Sequence, residues 1–181
     1  MLPIDSEEEL EILEEMQTNE GASLLSLTYK SPVMLVFLRH FGCVFCKESL
    51  YDISARRKAI ERNGIKIVFV HMANDETAIE YFQNFNLEGV TYVCDPAQQY
   101  YRAFGLHRGS FTQLYGLQTW IRGYKVKQAL GYEIELAKRL GDSTQMPGVF
   151  VIQNGIIRDK FIHRLASERP DYEQLVQCCV I

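Results

Sequence analysis

The 181-residue sequence has no apolar run that approaches the roughly 20 residues needed to cross a bilayer. It also has no excess of basic residues, since 19 lysines and arginines stand against 23 aspartates and glutamates. The first residues are acidic and lack the basic-then-apolar order of a secretory signal. These absences argue against a membrane protein, a nucleic-acid binder and an exported protein. We therefore expect a cytoplasmic protein.

Cysteines are few and unevenly placed. There are five, and an odd number without an export signal argues against a disulfide framework. Cys43 and Cys46 form a C-x-x-C pair, and Cys178 and Cys179 are adjacent near the end of the sequence. Cys94 closes an apolar segment, where we expect it to pack in the core. In a reducing compartment a C-x-x-C pair is more often catalytic or metal-binding than structural.

The order of predicted elements indicates an α/β fold. Residues 33–38 are apolar throughout, which is typical of a strand buried on both faces. A helix from Cys43 to about Asn63 follows, then the strand IKIVFVHM, the helix NDETAIEYFQNFNL, the strand VTYVCD and the helix PAQQYYRAFGL, which begins at Pro96. After residues 106–145 come GVFVIQ and IIRDKFIH, joined by an Asn154–Gly155 turn, and a last helix, PDYEQLVQCC.

These elements predict one domain over residues 1–181, built on a mixed central sheet with helices on both faces. Residues 1–30 are predicted to hold an N-terminal helix capped by Asp5 or Ser6, and a lead-in, SLLSLTYK, that forms a loop or short edge segment. Residues 106–145 are less regular and are interpreted as an insertion packed across the domain.

The C-x-x-C pair falls where a strand gives way to a helix. A helix N-terminus carries unpaired amides and a partial positive charge, so a thiolate at Cys43 would be stabilised there. Cys46 lies one helical turn further on, close enough for the two sulfurs to bond. We therefore predict that Cys43 is the exposed nucleophile and Cys46 the resolving thiol.

The pair has two other interpretations. A zinc site normally needs four ligands, and the sequence has no second C-x-x-C and no H-x-x-x-H motif. Two buried bystander cysteines are the other alternative, because free cysteine often behaves as a small core residue. The redox pair is preferred over both.

The sequence does not decide the roles of the polar residues beside the C-x-x-C pair. His40 is a candidate base or hydrogen-bond donor to Cys43, or else a structural histidine at the strand end. Arg39 is a candidate partner for a thiolate, although arginines at strand ends usually point to solvent. Arg158 and Arg164 are further candidates for the arginine that lies near the sulfur, and the sequence does not choose among the three.

Aromatic residues are concentrated around the insertion. They form either an apolar substrate groove or dimer face, or the ordinary packing of the insertion, which we favour. The residues are Tyr100, Tyr101, Phe104, Phe111, Tyr115, Trp120 and Tyr124.

Three segments together carry a family resemblance: FLRHFGCVFC after a buried strand, YVCDPAQQYYRAFGL, and GDSTQMPGVFVIQNG. In combination they resemble the AhpC/TSA-like, or peroxiredoxin-like, antioxidant family, which includes the peroxiredoxin-like 2 group. The resemblance implies a thioredoxin-like fold with a cis-proline at Pro147, preceded by the insertion. Cys43 matches the nucleophilic position and Cys46 its partner, whereas Val36 and His40 stand where a typical peroxiredoxin has Pro and Thr.

The expected function is that of a thiol-dependent redox protein, either a peroxiredoxin-like antioxidant or a thiol-disulfide oxidoreductase, using Cys43 and Cys46 as a redox-active disulfide. The alternative is a non-catalytic thioredoxin-fold binding or regulatory module. No cofactor or metal is expected. The expected partners are a peroxide or disulfide substrate and an external dithiol such as thioredoxin or glutathione, without nucleic acid or membrane; a homodimer is left open.

The last four residues, CCVI, match the C-a-a-X prenylation pattern, which would tether the protein to a membrane. No polybasic run precedes them, so we prefer the apolar end of a helix.

Overall fold

The computed structural model describes residues 6–132 and 140–179. Three features of the sequence therefore fall outside the described residues: the candidate cap Asp5, part of the insertion (133–139) and the last two residues of CCVI. Within the described ranges, no helix combines the length and apolar character that crossing a membrane requires.

A five-stranded mixed sheet forms the centre of the fold. Its strands are β1 (Val33–Phe37), β2 (Lys66–His71), β3 (Thr91–Cys94), β4 (Gly148–Gln153) and β5 (Ile156–Ile162). They lie in the order β3-β2-β1-β4-β5. Strands β1, β2 and β3 are parallel, while β4 runs antiparallel to both β1 and β5. The mixed sheet expected from the sequence is confirmed.

Eight α-helices are present among the described residues. They are α1 (Ser6–Glu15), α2 (Leu24–Lys30), α3 (Val44–Arg62), α4 (Asp75–Asn84), α5 (Gln99–Ala103), α6 (Phe111–Tyr115), α7 (Leu117–Leu130) and α8 (Tyr172–Val176). A 3-10 turn at Gln177–Cys179 follows α8.

The core divides into two layers because side chains alternate across the sheet. In β1, Met34 and Val36 pack with residues of α3, α4 and α8, whereas Leu35 and Phe37 pack with residues of α1, α2 and α5. All five residues of β1 are buried, as the uninterrupted apolar run predicted. The α/β class with helices on both faces is therefore confirmed.

The lead-in before β1 is helical, so the prediction of a loop or edge segment was wrong. Ser23 caps α2, accepting a hydrogen bond from the Ser26 amide at 3.2 Å. Leu24 and Leu27 form its buried face. A seven-residue helix offers only these two apolar positions at helical spacing, which is too short a pattern to show periodicity.

The helix predicted from Pro96 begins three residues later, at Gln99. The Asp95 carboxylate accepts hydrogen bonds from the amides of Gln99 at 2.9 Å and Tyr100 at 2.8 Å. This carboxylate, rather than the proline, marks the start of α5.

The hairpin between β4 and β5 is confirmed. Asn154 and Gly155 have φ values of 54° and 73°. Two consecutive residues with positive φ are what a tight two-residue hairpin turn requires, and Asn-Gly satisfies that requirement with little strain.

Pro147 lies just before β4, but its peptide bond is trans, so the cis-proline expected from the resemblance is absent. Both peptide groups of Met146 are hydrogen-bonded in the trans arrangement. Its amide donates to the His107 carbonyl at 3.2 Å, and its carbonyl accepts from Gln145 Nε2 at 3.0 Å. The trans isomer is also intrinsically favoured, by about 0.5–1 kcal/mol.

Tyr101 joins the carboxyl ends of two central strands. Its side chain is fully buried, and its hydroxyl lies 2.6 Å from the Leu38 carbonyl oxygen and 3.0 Å from that of Val70. This hydroxyl fixes the point at which the chain leaves β1 for the loop that carries Cys43.

We predict that Tyr101→Phe lowers the free energy of unfolding by about 1–3 kcal/mol, because it leaves buried carbonyl groups with fewer donors. Tyr100→Phe is the matched control, since its hydroxyl donates to the Glu15 carbonyl at an exposed position and its loss should cost less than about 1 kcal/mol. Urea denaturation measures both. Equal losses in the two variants would contradict the assigned role of Tyr101.

Candidate active site

Cys43 lies in the turn between β1 and α3. Its amide donates to the His40 carbonyl at 3.1 Å, which closes the turn, and Cys43 becomes the N-cap residue of α3. Its side chain makes no capping hydrogen bond to the first turn of the helix. The predicted position at a helix N-terminus is therefore confirmed, but contact between the sulfur and the helix amides is not observed.

Arg39 provides the direct partner of the Cys43 sulfur. Arg39 Nη1 lies 2.9 Å from Cys43 Sγ. The same guanidinium donates through Nε to the Gln145 carbonyl at 3.1 Å and through Nη2 to the Ser143 carbonyl. Only 5% of Arg39 is exposed, so the solvent-facing alternative was wrong.

Within the described part of the chain, Arg39 is a buried cation without a carboxylate partner. Among the ion pairs between described residues, none involves Arg39, and its other hydrogen-bond partners are neutral carbonyls. A buried cation without a counterion is costly. The Cys43 sulfur is the group beside the guanidinium that could carry a compensating negative charge.

Cys43 is much less exposed than predicted. Only 6% of it is accessible, and it lies with Arg39 and His40 in the lining of a groove of about 240 Å³. The expectation of an exposed nucleophile was therefore wrong, because the buried Arg39 guanidinium lies against the sulfur. A substrate would reach Cys43 through the groove.

Cys46 is buried in the first turn of α3, with 3% of it exposed. Its thiol donates to the Arg39 carbonyl at 3.6 Å. Burial, and after it the nearby Cys43 charge, raises the pKa of Cys46 above its ordinary value. Cys46 therefore remains a protonated thiol, as a resolving cysteine should until its partner has reacted. The structure shows both cysteines as free thiols.

His40 lines the same groove and is 4% exposed. Burial, followed by the positive charge of Arg39, lowers its pKa to about 4. The imidazole is therefore neutral at physiological pH. Among the described residues no hydrogen bond joins its ring to Cys43, so its role as base or donor stays a prediction.

Aromatic side chains of the insertion form one wall of the groove. Tyr115, Trp120 and Tyr124 line it, and they are 52%, 68% and 55% exposed. Trp120 and Tyr124 stack with ring centroids 6.3 Å apart. The preferred interpretation, ordinary packing of the insertion, is thus wrong for these three residues, although it holds for the buried Tyr101 and Phe104.

The wall is held in place through α7. Arg122 Nη1 and Nη2 donate to the Glu48 carboxylate of α3 at 3.1 Å and 3.0 Å. Gly123 of α7 faces Phe45 of α3, and a Cβ atom at Gly123 would lie 3.4 Å from the Phe45 ring, in ordinary van der Waals contact. Trp120 and Tyr124 therefore lie on a helix fixed against α3, which Cys43 caps and which contains Cys46, while Tyr115 ends the preceding helix α6.

Other predicted residues lie away from the groove. Pro147 lines a separate, small cavity together with Arg39 and Cys46. Cys94 is exposed at the end of β3, so its expected core packing was wrong. Arg158 is an exposed residue of β5, and neither it nor Arg164 is among the residues lining the groove.

Sequence reasoning missed Ser143 and Gln145, whose carbonyls position Arg39. The Gln145 side chain is 1% exposed and donates to the carbonyls of Leu106 and Met146, both at 3.0 Å. The signal that could have found them is the segment GDSTQMPG. It formed part of the family resemblance, but no function was predicted for its polar residues.

The model of the AhpC/TSA family matches residues 13–160 of the sequence. The chain belongs to the AhpC/TSA family. The matched range includes all of β1 to β4, both cysteines of the C-x-x-C pair, and the residues that anchor Arg39.

Curated relatives of this AhpC/TSA chain are distant. It is 23% identical to thioredoxin-like protein AAED1, chloroplastic, of Arabidopsis thaliana, over 81% of this chain but only 61% of that protein. It is 26% identical to the Homo sapiens prostamide/prostaglandin F synthase, over 89% of this chain and 80% of the human one. The Danio rerio protein of the same name is 23% identical, over 91% and 82%.

Solved peroxiredoxins share the fold of this AhpC/TSA chain. A cysteine-to-serine mutant of peroxiredoxin 6 from Arenicola marina superposes with a TM-score of 0.60 at 13% identity, covering 91% of this chain and 70% of that one. The bacterioferritin comigratory protein of Xanthomonas campestris gives a TM-score of 0.57 at 12% identity, covering 83% and 81%.

We predict that Arg39→Met slows the alkylation of Cys43 by iodoacetamide at pH 7 by about tenfold or more, because the sulfur loses the cation that stabilises its thiolate. Residue-resolved mass spectrometry measures the rate. Arg158→Met is the matched control and should react like the wild type. An unchanged rate in Arg39→Met would show that the guanidinium does not activate the sulfur.

Proposed function

We propose that this protein is a thiol-dependent peroxidase in which Cys43 reduces organic hydroperoxides. Membership of the AhpC/TSA family and the peroxiredoxin-like fold support a thiol-dependent redox role. The observation that carries the finer proposal is the contact between Arg39 and Cys43, 2.9 Å long, in an aromatic-walled groove.

In the first step the Cys43 thiolate attacks the terminal oxygen of a hydroperoxide. An S–O bond forms, the O–O bond breaks, and the alcohol leaves after taking up a proton. The sulfur is oxidised to a sulfenic acid and the hydroperoxide is reduced. Arg39 stabilises the thiolate before the reaction, while the neutral His40 in the same groove is available to hydrogen-bond the oxygens.

In the second step Cys46 resolves the sulfenic acid. Its sulfur bonds to Cys43 Sγ, and the hydroxyl of the sulfenic acid leaves as water with the proton of the Cys46 thiol. The hydrogen bond from Cys46 to the Arg39 carbonyl must break for this step. An external thiol reductant in the cytoplasm then reduces the disulfide and restores both thiols: either the dithiol of thioredoxin, which becomes a disulfide, or two molecules of glutathione, which leave as glutathione disulfide.

The groove favours an apolar substrate. Three exposed aromatic rings offer a surface on which a hydrocarbon chain can be buried, and burial of apolar area stabilises a complex by about 25 cal/mol per Å². Relatives named prostamide/prostaglandin F synthase, a name that refers to organic compounds, support an organic substrate. We therefore propose organic hydroperoxides with a bulky apolar group rather than hydrogen peroxide.

The cysteine roles predict distinct products in single variants. After one equivalent of cumene hydroperoxide, the reduced wild type should form a Cys43–Cys46 disulfide within seconds, as measured by mass spectrometry. Cys43→Ser should consume no peroxide, while Cys46→Ser should consume one equivalent and retain a sulfenic acid that dimedone traps. Cys178→Ser is the control and should behave as the wild type.

Two results would contradict these roles. If both thiols of the wild type stay reduced, the protein is a non-catalytic binding or regulatory module. If Cys46→Ser still forms an internal disulfide from Cys43, another thiol is the resolving one.

Removal of an aromatic wall residue should affect substrates selectively. We predict that Trp120→Ala lowers kcat/KM for cumene hydroperoxide about tenfold, which is ~1.4 kcal/mol of binding, and changes that for hydrogen peroxide less than about twofold. Phe111→Ala is the matched control, because Phe111 is 78% exposed but does not line the groove. Equal losses for both peroxides in Trp120→Ala would contradict an apolar substrate.

A further inference from the structure

A second cluster of reactive side chains lies at the carboxyl ends of β2 and β3. A ring nitrogen of His71, a carboxylate oxygen of Asp75 and the sulfur of Cys94 all lie within 4.8 Å of one another. His71 and Cys94 are register partners on the two parallel strands, and Asp75 is the first residue of α4. None of the three belongs to the Cys43 groove.

His71 is the buried member of the cluster, with none of its side chain exposed. Its Nδ1 lies 3.0 Å from the Ala73 carbonyl oxygen, whereas Nε2 is buried without a hydrogen-bond partner among the described residues. A neutral imidazole with one nitrogen bonded to a carbonyl is the usual arrangement of a metal-ligating histidine.

The other two side chains are exposed. Asn74, not Asp75, caps α4, accepting a hydrogen bond from the Thr77 amide at 3.0 Å. The Cys94 thiol donates to the Ala73 carbonyl at 3.2 Å, and this hydrogen bond is lost when a metal ion replaces the thiol proton. The carboxylate of Asp75 places a negative charge in the cluster, which favours a cation there.

We infer that His71, Asp75 and Cys94 form a binding site for a zinc-like divalent metal ion. Imidazole, thiolate and carboxylate are ligands that zinc prefers, whereas magnesium and calcium select oxygen atoms alone. Ligand atoms around tetrahedral zinc lie roughly 3.4–3.6 Å apart, so the cluster needs to contract by about an ångström. Rotation of the exposed Asp75 and Cys94 side chains around the fixed His71 accomplishes this.

Three protein ligands leave a fourth tetrahedral position for water. The metal replaces the Cys94 proton, which is released to solvent, and connects the ends of β2 and β3 to the start of α4. The sequence shows no metal motif because the three ligands come from three separate elements. The proposal does not depend on peroxidase activity.

The first experiment measures protection of Cys94 in the complete reduced chain. Zn²⁺ should slow its alkylation by N-ethylmaleimide at least about tenfold, as followed by residue-resolved mass spectrometry, and Mg²⁺ should not. Asp75→Asn should remove most of the protection. Glu76→Gln is the matched control, since this next carboxylate in the first turn of α4 is outside the cluster, and it should keep full protection.

The second experiment identifies the ligand directly. In a variant with Cys43, Cys46, Cys178 and Cys179 changed to Ser, Cys94 is the remaining cysteine, so a thiolate-to-Co²⁺ charge-transfer band with one equivalent of Co²⁺ reports that residue. The further change Cys94→Ser should abolish the band.

The site would be refuted by two results in the complete chain, where misfolding of a variant plays no part: absence of Zn²⁺ protection at Cys94, or equal protection by Mg²⁺. Equal loss of protection in Asp75→Asn and Glu76→Gln would likewise refute it.

Discussion

The buried guanidinium of Arg39 is the constraint on which the candidate active site depends. Its charge is enclosed by two backbone carbonyls and one sulfur, with no carboxylate partner among the ion pairs of the described residues. The carbonyls belong to the segment before β4, so the guanidinium joins that segment to the end of β1. The geometry of the nucleophile is therefore set by contacts between distant parts of the chain.

Both sulfurs are connected through this one residue. Its guanidinium contacts Cys43, and its carbonyl accepts the hydrogen bond of the Cys46 thiol. The two cysteines thereby have different environments: Cys43 faces a cation, whereas Cys46 is buried against a neutral acceptor. This asymmetry supports the proposed roles, attack by Cys43 and resolution by Cys46, more directly than the spacing of the motif does.

Much of the fold was predictable because its signals are local. The apolar runs of β1, β2 and β4 and the Asn-Gly hairpin each depend on neighbouring residues. Helix α2 was missed because seven residues are too few to show helical periodicity. The predicted cis-proline was carried over from the family, whereas the Met146–Pro147 bond of this chain is trans.

The site was predictable only in part, because it combines local features with contacts between residues far apart in the sequence. The position of Cys43 at the start of a helix follows from local pattern, but the partners of Arg39 are 104 and 106 residues away along the chain. Cys94 ends an apolar strand, yet it was not predictable that this end is exposed. The aromatic residues of the insertion could be assigned to groove or core only once α7 was placed against α3.

The contact between Arg39 and Cys43 has a consequence for the conditions under which the protein can act. A guanidinium keeps its charge at any physiological acidity, whereas an imidazole partner would gain and lose its charge near neutrality. His40, the imidazole beside the sulfur, is also held neutral throughout this range. In the proposed mechanism, the positive charge beside Cys43 is therefore the same at every cellular pH.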